Sequence, residues 1–169
     1  MAAPENVIKN LNMFFNGKGY AGKVRSFDPP KFTLVTEEFR GGGMNGPLEL
    51  TMGHEALTLG FELIDFDPDV LSLWRIREGF NTAFNLRGGM EDIDGNTKPI
   101  KWECRGKMKS LDPGTITGGT AANLTGEVAL SYVKLTHGTR VIHEVDVVNM
   151  VQIIDGVDLL QGMRDALGI

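Results

Sequence analysis

Leu57-Thr58-Leu59-Gly60-Phe61-Glu62-Leu63 is the stretch that most clearly sets the fold class, because large apolar residues alternate with small or polar ones. An alternation with a period of two puts the apolar side chains on one face of a strand and the others on the opposite face. The stretch therefore predicts a half-buried β-strand whose apolar face lies against a core.

Further strands are predicted on both sides of this segment. They are residues 11–15, 20–26, 32–39, 48–52, 100–108, 123–136 and 140–146. The first two flank Asn16-Gly17, a pair that tolerates the positive φ of tight turns, so they are predicted to form a β-hairpin. On the strand 123–136 we expect Leu124, Val128, Leu130 and Tyr132 on one face and Thr125, Glu127, Ala129, Ser131 and Val133 on the other.

Two helices are predicted to accompany the strands. Asp67-Pro68 has the pattern of an N-cap followed by proline at the first helical position, and apolar residues continue from Val70 towards Gly79. Residues 158–167 carry an apolar helical face of Leu159, Leu160, Met163, Ala166 and Leu167. The predicted fold is mainly β with short α-helices (α+β), a β-sandwich or partial barrel in a single domain over residues 1–169.

Composition narrows the class of protein. The net charge is −5, from 17 basic and 22 acidic residues, and no stripe of Lys or Arg is evident, so tight binding of nucleic acid is not expected. The single cysteine, Cys104, permits no intramolecular disulfide and is predicted to be buried. Without a basic N-terminal segment or an apolar run of about 18 residues, we expect a soluble cytosolic product and no membrane.

Residues at the spacings of common catalytic and metal sites are missing from the sequence. His54, His137 and His143 have no Cys or His at metal-ligand spacing, and no serine lies in Gly-x-Ser-x-Gly. The adjacent carboxylates of Glu37-Glu38 would point to opposite faces of a strand. We expect no enzymatic activity, no cofactor and no metal; the alternative, a monomeric β-barrel binding module or enzyme, would need a pocket with convergent polar groups.

The glycine-rich stretch Arg40-Gly41-Gly42-Gly43-Met44-Asn45-Gly46-Pro47 permits two interpretations. Its spacing formally matches the dinucleotide fingerprint, in which the glycines precede a helix that holds a pyrophosphate. The residues that follow, 48–52, alternate as a strand does, so nucleotide binding is disfavoured. An extended loop that reaches another subunit is the preferred interpretation, and a simple hairpin connection is the alternative.

Taken together, several motifs resemble the tail tube proteins of contractile-tailed bacteriophages and of the related R-type pyocins, from about Asn10 to the last residue. In chain order they are Leu11-Asn12-Met13-Phe14, Tyr20-x-Gly22-x-Val24, Glu38-Phe39-Arg40 with the glycine-rich stretch, Met52-Gly53, Arg105-Gly106, Glu144-Val145-Asp146, Asp155-Gly156-Val157-Asp158 and Gly162-Met163-Arg164. Residues 80–100 and 112–122 match poorly.

This resemblance implies a structural protein that forms stacked hexameric rings, in which the inner sheets of six subunits join into one continuous barrel. The tube would lie inside a contractile tail and either conduct DNA in a phage or puncture a cell as part of a pyocin; the alternative is the tube of a related secretion or injection system. Implied partners are other copies of the chain, the tail sheath protein, a tape-measure protein in the lumen, and baseplate and tail terminator proteins. DNA would only be in transit. The implied location is the virion tail or pyocin particle, after assembly in the host cytoplasm.

Contacts between subunits and rings are expected at three places. The first is the loop of Arg40, Gly41, Gly42, Gly43, Met44, Asn45, Gly46 and Pro47, together with an N-terminal arm of residues 1–9. From the resemblance, the second is Asn12 and Phe14 in the first strand, and the third is Asp155, Gly156 and Asp158 near the C-terminal helix.

Overall fold

The structure, a computed structural model, describes residues 4–76, 79, 81–119 and 121–169. Strands dominate these ranges, and the two helices are short, so the predicted fold class is confirmed. The elements are β1 (Val7–Phe15), β2 (Lys18–Gly19), β3 (Val24–Asp28), β4 (Leu34–Phe39), β5 (Leu48–His54), β6 (Thr58–Leu63), α1 (Pro68–Leu71), β7 (Thr82–Glu91), β8 (Thr97–Asp112), β9 (Leu124–His137), β10 (Arg140–Asp146), β11 (Val151–Ile154), β12 (Val157–Asp158) and α2 (Gln161–Leu167).

Most strands belong to one antiparallel sheet in the order β12-β11-β10-β9-β8-β7-β1-β2. Strand β9 is a branch point, because residues 124–129 pair with β6 whereas residues 132–137 pair with β10. Strand β3 in turn pairs with β6. The strands β3-β6-β9-β8-β7-β1 therefore wrap around a core, and β1 and β3 come into contact without pairing in the described structure. The result is a partial barrel with one open seam.

Apolar side chains from these strands fill the interior of the partial barrel. The predicted alternation of residues 57–63 is confirmed, since its four large apolar side chains are at most 2% exposed. An aromatic cluster lies at the centre of the core. The ring of Phe15 lies 4.7 Å from Tyr20, 5.0 Å from Phe61 and 5.4 Å from Phe84, measured between centroids. Tilted and edge-on contacts at these distances favour the folded state by about 0.5–1.5 kcal/mol per pair beyond the area they bury.

A β-bulge changes which side chains of β9 face the core. Ser131 is the extra residue, opposite the step from Arg105 to Gly106 in β8. An extra residue reverses the alternation beyond it. Val133 is therefore fully buried, whereas Tyr132 lies on the opposite face beside Arg105. The prediction that placed Tyr132 on the apolar face of this strand was wrong.

The N-terminal elements also differ from the prediction. Of the predicted N-terminal arm of residues 1–9, residues 7–9 belong to β1, which pairs with β7, while residues 1–3 lie outside the described residues. The predicted hairpin with residues 20–26 is reduced to two pairs, Phe14 with Gly19 and Phe15 with Lys18. The returning strand β3 pairs with β6 instead, because there its apolar side chains reach the core.

Strand β7 was not predicted, and the helix after Asp67 was predicted too long. Helix α1 ends at Leu71; beyond it Leu73 still reaches the core, but the side chains of Trp74 and Ile76 are exposed, and residues 77 and 78 lie outside the described residues. Short helices depend on such packing. Asp67 acts as the predicted N-cap, because its carboxylate accepts a hydrogen bond of 2.9 Å from the Asp69 amide.

Gly106 lies at the closest approach of β8 and β9. A Cβ here would lie 2.2 Å from the carbonyl oxygen of Ala129, a backbone atom in the neighbouring strand. Gly106→Ala is therefore expected to lower the free energy of unfolding by about 2 kcal/mol or more. In the control Gly118→Ala the added Cβ meets nothing within 4 Å, so the change should stay below about 0.5 kcal/mol. Urea unfolding followed by tryptophan fluorescence measures both values, and equal stabilities would contradict the close approach.

Candidate assembly surfaces

Strands β4 and β5 form a two-stranded sheet of their own, and we call residues 34–54 the arm. Every residue of its two strands is exposed except His54, which is half-buried. At its root, Phe32 packs against His143 with ring centroids 5.0 Å apart, and the Glu55 amide donates to the Thr33 carbonyl at 2.9 Å. Isolated two-stranded sheets are at best marginally stable in water. The arm is therefore a segment that gains most from contact with another surface.

One face of the arm is apolar and the other is polar. Phe39 pairs with Leu48 and Glu37 with Leu50, while Val35 shares their face by alternation. The apolar members of this face are 40–53% exposed. The opposite face carries Thr36, Glu38, Glu49 and Thr51, and at the root of the arm Leu34, which is 60% exposed. Adjoining exposed apolar side chains of this kind mark an interaction surface.

The glycine-rich stretch forms the tip of the arm. The Met44 amide donates to the Gly41 carbonyl at 3.3 Å, and the Arg40 Nε donates to the Met44 carbonyl at 3.4 Å. Gly43 has φ +87°, a conformation that favours glycine. The chain turns back here into β5, as predicted, so the helix that a phosphate cradle would need is not formed.

The open seam between β1 and β3 is a second exposed surface. Residues 7–12 of β1 pair with β7 on one side only, while β2 pairs with the end of the strand at Phe14 and Phe15. A cleft of about 320 Å³ lies along this edge, lined by Ile8, Lys9, Asn10, Leu11, Gly22 and Val24. An unpaired strand edge beside a cleft of mixed polar and apolar lining is a surface to which another strand can add.

The predicted contact residues Asn12 and Phe14 lie on β1 and point away from the core. The guanidinium of Arg87 lies 5.3 Å from the centroid of the Phe14 ring, so this side chain has a partner in the same chain. The Asn12 Oδ1 atom is buried and accepts no hydrogen bond from the described residues. A buried acceptor without a donor is costly, and a donor from outside would remove that cost.

The predicted contact residues near the C-terminus stabilise local structure. Asp155 (φ +51°) and Gly156 (φ +83°) form the turn between β11 and β12. The Arg140 Nε donates to the Asp155 carboxylate at 2.6 Å, and this hydrogen bond lowers the pKa of Asp155. Asp158 accepts hydrogen bonds from the Leu160 amide at 3.0 Å and from Arg164 Nη2 at 2.6 Å, and Arg164 is the main cause of its lowered pKa.

Helix α2 begins at Gln161, three residues later than predicted, and its apolar residues face solvent. Leu159, Met163, Leu167 and Ile169 are 54–76% exposed. The predicted apolar side of this segment therefore exists, but it packs on no core within the described chain.

A charged sheet surface, which we call the polar face, lies on the side of β7–β10 that points away from the core. One cross-strand row consists of Asn85, Glu103, Lys134 and Glu144. The Lys134 Nζ lies 3.3 Å from Glu144 Oε2, and the Lys109 Nζ lies 2.8 Å from Glu127 Oε1. Basic side chains therefore meet acidic ones on neighbouring strands.

The polar face also contains several basic residues of β8. Alternation along β8 puts Lys101, Arg105, Lys107 and Lys109 on this face, with Glu103 between the first two. Lys109 pairs with Glu127, so part of this positive charge is offset within the chain.

The described residues offer little for catalysis or metal binding. Within them, no group of three or more His, Cys, Asp and Glu side chains is placed to hold a metal ion, and no helix is long and apolar enough to cross a membrane. A hollow of about 280 Å³ on the polar face is lined by Glu103, Arg105 and Lys134 among others, and Lys134 already pairs with Glu144. Burial raises the pKa of Cys104 to about 12, which makes this thiol unreactive.

The sequence comparisons all match phage tail tube proteins. The model of the family described as phage tail tube protein FII matches residues 5–168. The tail tube protein of Escherichia phage P2 is 31% identical over 173 residues, which cover 100% of both chains. The major tail tube protein of Serratia phage KSP20 is 28% identical over 160 residues, or 94% of this chain and 92% of that protein.

Two solved structures share the fold. A chain of the anti-feeding prophage baseplate aligns with a TM-score of 0.53 at 18% identity, over 82% of this chain and 97% of that chain. A chain of the sheath-tube complex of the PVC extracellular contractile injection system aligns with a TM-score of 0.60 at 11% identity, over 79% and 92%. The tube-type fold expected from the sequence is confirmed.

The ion pair between Asp158 and Arg164 predicts a pH dependence of stability. Because the pKa of Asp158 is lowered in the folded chain, the stabilisation is present above its ordinary value of about 3.9 and is lost as the pH falls through the folded value. Asp158→Asn should lower the melting temperature at pH 7, and the gap to the unmodified chain should close in acid. The exposed Asp165→Asn is the matched control, with little effect at either pH. A gap that persists unchanged in acid would contradict this role of the pair.

Proposed function

The chain belongs to the phage tail tube protein FII family, and from this premise we propose that its copies form hexameric rings that stack into the inner tube of a contractile tail. The observation that carries the proposal is the arm, whose apolar face has no partner among the described residues of its own chain. Rings that close about a six-fold axis and stack without closing produce a tube. The tube would act within a sheath and on a baseplate, with a tail terminator at one end and a tape-measure protein in its lumen.

Exposed apolar side chains occur on several separate segments, as stacking and ring closure both require. They lie on the arm, on the first half of β1 and on and around α2. Obligate interfaces of this kind bury on the order of 2,000 Å² or more. The predicted contacts of the loop 40–47, of Asn12 and Phe14, and of Asp155, Gly156 and Asp158 belong to this proposal, the last three acting through the turn and helix that they stabilise.

The polar face is our candidate for the wall of the bore. Of the large apolar side chains that are strongly exposed in the described chain, none lies on β7, β8, β9 or β10. This surface therefore lacks the features of a subunit interface and suits permanent contact with water. Two of its lysines, Lys109 and Lys134, pair with Glu127 and Glu144, which weakens its attraction for DNA in transit. The sequence relatives from phages favour DNA over the effectors of an injection system as the transported molecule.

Tube formation is tested by negative-stain electron microscopy over a range of concentrations, with light scattering for mass. Six-fold rings or hollow tubes are expected. Phe39→Ser/Leu50→Ser removes two apolar side chains from the arm and should raise the concentration needed for tubes by at least about tenfold, because each buried side chain of this size contributes about 1.5–3 kcal/mol. The control Thr36→Ser/Thr51→Ser changes only the polar face of the arm.

Two results would contradict these statements separately. If the unmodified chain stays monomeric even when baseplate is added, the proposed tube function is wrong. If the Phe39→Ser/Leu50→Ser variant forms tubes of normal length at normal concentration, the tube function stands and the arm is not needed for it.

The bore assignment is tested by thiol labelling of assembled tubes. Native Cys104 is buried and unreactive, so an introduced cysteine reports alone. Glu103→Cys lies on the polar face and is expected to react with a small maleimide but not with one attached to a long polyethylene glycol chain, which cannot enter a narrow bore. Asp165→Cys on exposed α2 should react with both reagents. Equal labelling of Glu103→Cys by both reagents in long tubes would place the polar face outside.

A further inference from the structure

We propose that the arm of one copy adds edge-on to β1 of a neighbouring copy and extends its sheet at the open seam. This inference rests on the proposed tube function, and it names the surface that receives the arm. The group that fills the seam is the arm of a second copy of this chain. Three observations point to it: the lengths of the free strand edges, the polar and apolar faces of the two surfaces, and their charges.

The length of the free edges selects β4 as the added strand. The open part of β1 runs from residue 7 to residue 12, with a bulge at Lys9, and β4 also has six residues. The outer edge of β5 is less suitable, because Gly53 has φ +122° and departs from the extended conformation of a strand. Strand β12, which ends the sheet on its other side, has only two residues and offers too little backbone for a stable pairing.

The two faces of β1 match the two faces of the arm. On the core side, Ile8 and Leu11 line the cleft beside Val24. On the other side lie Asn10 and Asn12, with Lys9 beside them, 3.4 Å from Glu91 on β7. A strand added to this edge continues both faces of the sheet, since alternation carries across paired strands.

An arm in this position has Val35, Glu37 and Phe39 over the cleft and Glu38 on the side of Lys9. Val35 and Phe39 would then cover Ile8 and Leu11, which are 47% and 38% exposed in the single chain. Thr36 would lie on the side of Asn12, whose buried Oδ1 atom lacks a donor in the described residues. A single docking mode would thus cover exposed apolar side chains of both surfaces and bring a donor to the side of the Asn12 Oδ1 atom.

Charge points to the same partner. Glu38 and Glu49 are direct cross-strand neighbours in the arm, an arrangement of like charges that is unfavourable. Neither forms an ion pair with another residue in the described part of the chain. A basic side chain on the receiving surface would relieve their repulsion. Of the basic groups near the seam, Lys23 already pairs with Asp65 and Arg25 lies 3.9 Å from Glu62. Lys9 lines the cleft and is half-exposed, 3.4 Å from Glu91, so it is the group that an incoming carboxylate would meet.

Zero-length cross-linking of tubes tests the docking directly. Tubes are grown from equal amounts of isotopically light and heavy chains and treated with a carbodiimide, which joins a carboxylate to an amine only when the two are in contact. The expected product links Lys9 to Glu38 or Glu49 in peptides of mixed isotope content, and it is absent from dispersed subunits. Cross-links of Lys9 to the arm within one copy, or of the arm only to other lysines such as Lys101 and Lys109, would overturn the docking while the tube function stands.

Charge reversal supplies a second test, which does not depend on a cross-linking reaction. Lys9→Glu and Glu38→Lys should each raise the concentration needed for tube formation by about tenfold, and the two together should restore most of it. Equal melting temperatures of the dispersed variants would show that folding is intact. Singly impaired variants whose combination is no better than either would overturn the proposal. Failure of the unmodified chain to form tubes under any condition would overturn both the tube function and this docking.

Discussion

The packing of Phe61 against Gly126 holds the two branches of the fold together. These residues are direct partners on β6 and β9, and a Cβ at Gly126 would lie 2.3 Å from the Phe61 ring. Because glycine leaves this space, the ring reaches the aromatic cluster around Phe15. Strand β9 can therefore hold β6 along its first half and β10 along its second half. The curvature that results leaves β1 and β3 close to each other but unpaired, so the open seam follows from the same packing.

The apolar side chains of the chain fall into two groups, those buried in the core of the barrel and those exposed on its edges and outer segments. The barrel strands bury their apolar side chains almost completely, whereas the arm, the first half of β1 and the region of α2 leave theirs in water. A monomer rarely keeps so many exposed apolar segments, since each adds to the risk of unspecific association. In an assembly the same segments become interfaces. The polar face differs from these segments, because it is charged and free of strongly exposed large apolar side chains. It is therefore not expected to become an interface between copies.

Sequence reasoning succeeded where a single strand or motif carried the signal. The alternation of residues 57–63 and the N-cap at Asp67 are local features, and both were predicted. Strand β7 was missed because Asn85, Arg87 and the pair Gly88-Gly89 interrupt its pattern of large apolar residues. The reversal at Ser131 could not be predicted, since a bulge depends on the partner strand.

The charge of the arm also bears on when association can occur. With Glu38 opposite Glu49 and Glu37 on the apolar face, two free arms repel each other, so pairing between arms is opposed although each exposes apolar surface and a strand edge. Acidic side chains on an exposed edge are a known means of preventing unspecific strand addition. The same charges favour a surface that combines a strand edge with basic groups, as the seam does. In the proposed docking, association between two arms is weak and association between an arm and a seam is favourable, and this difference would lead to ordered growth.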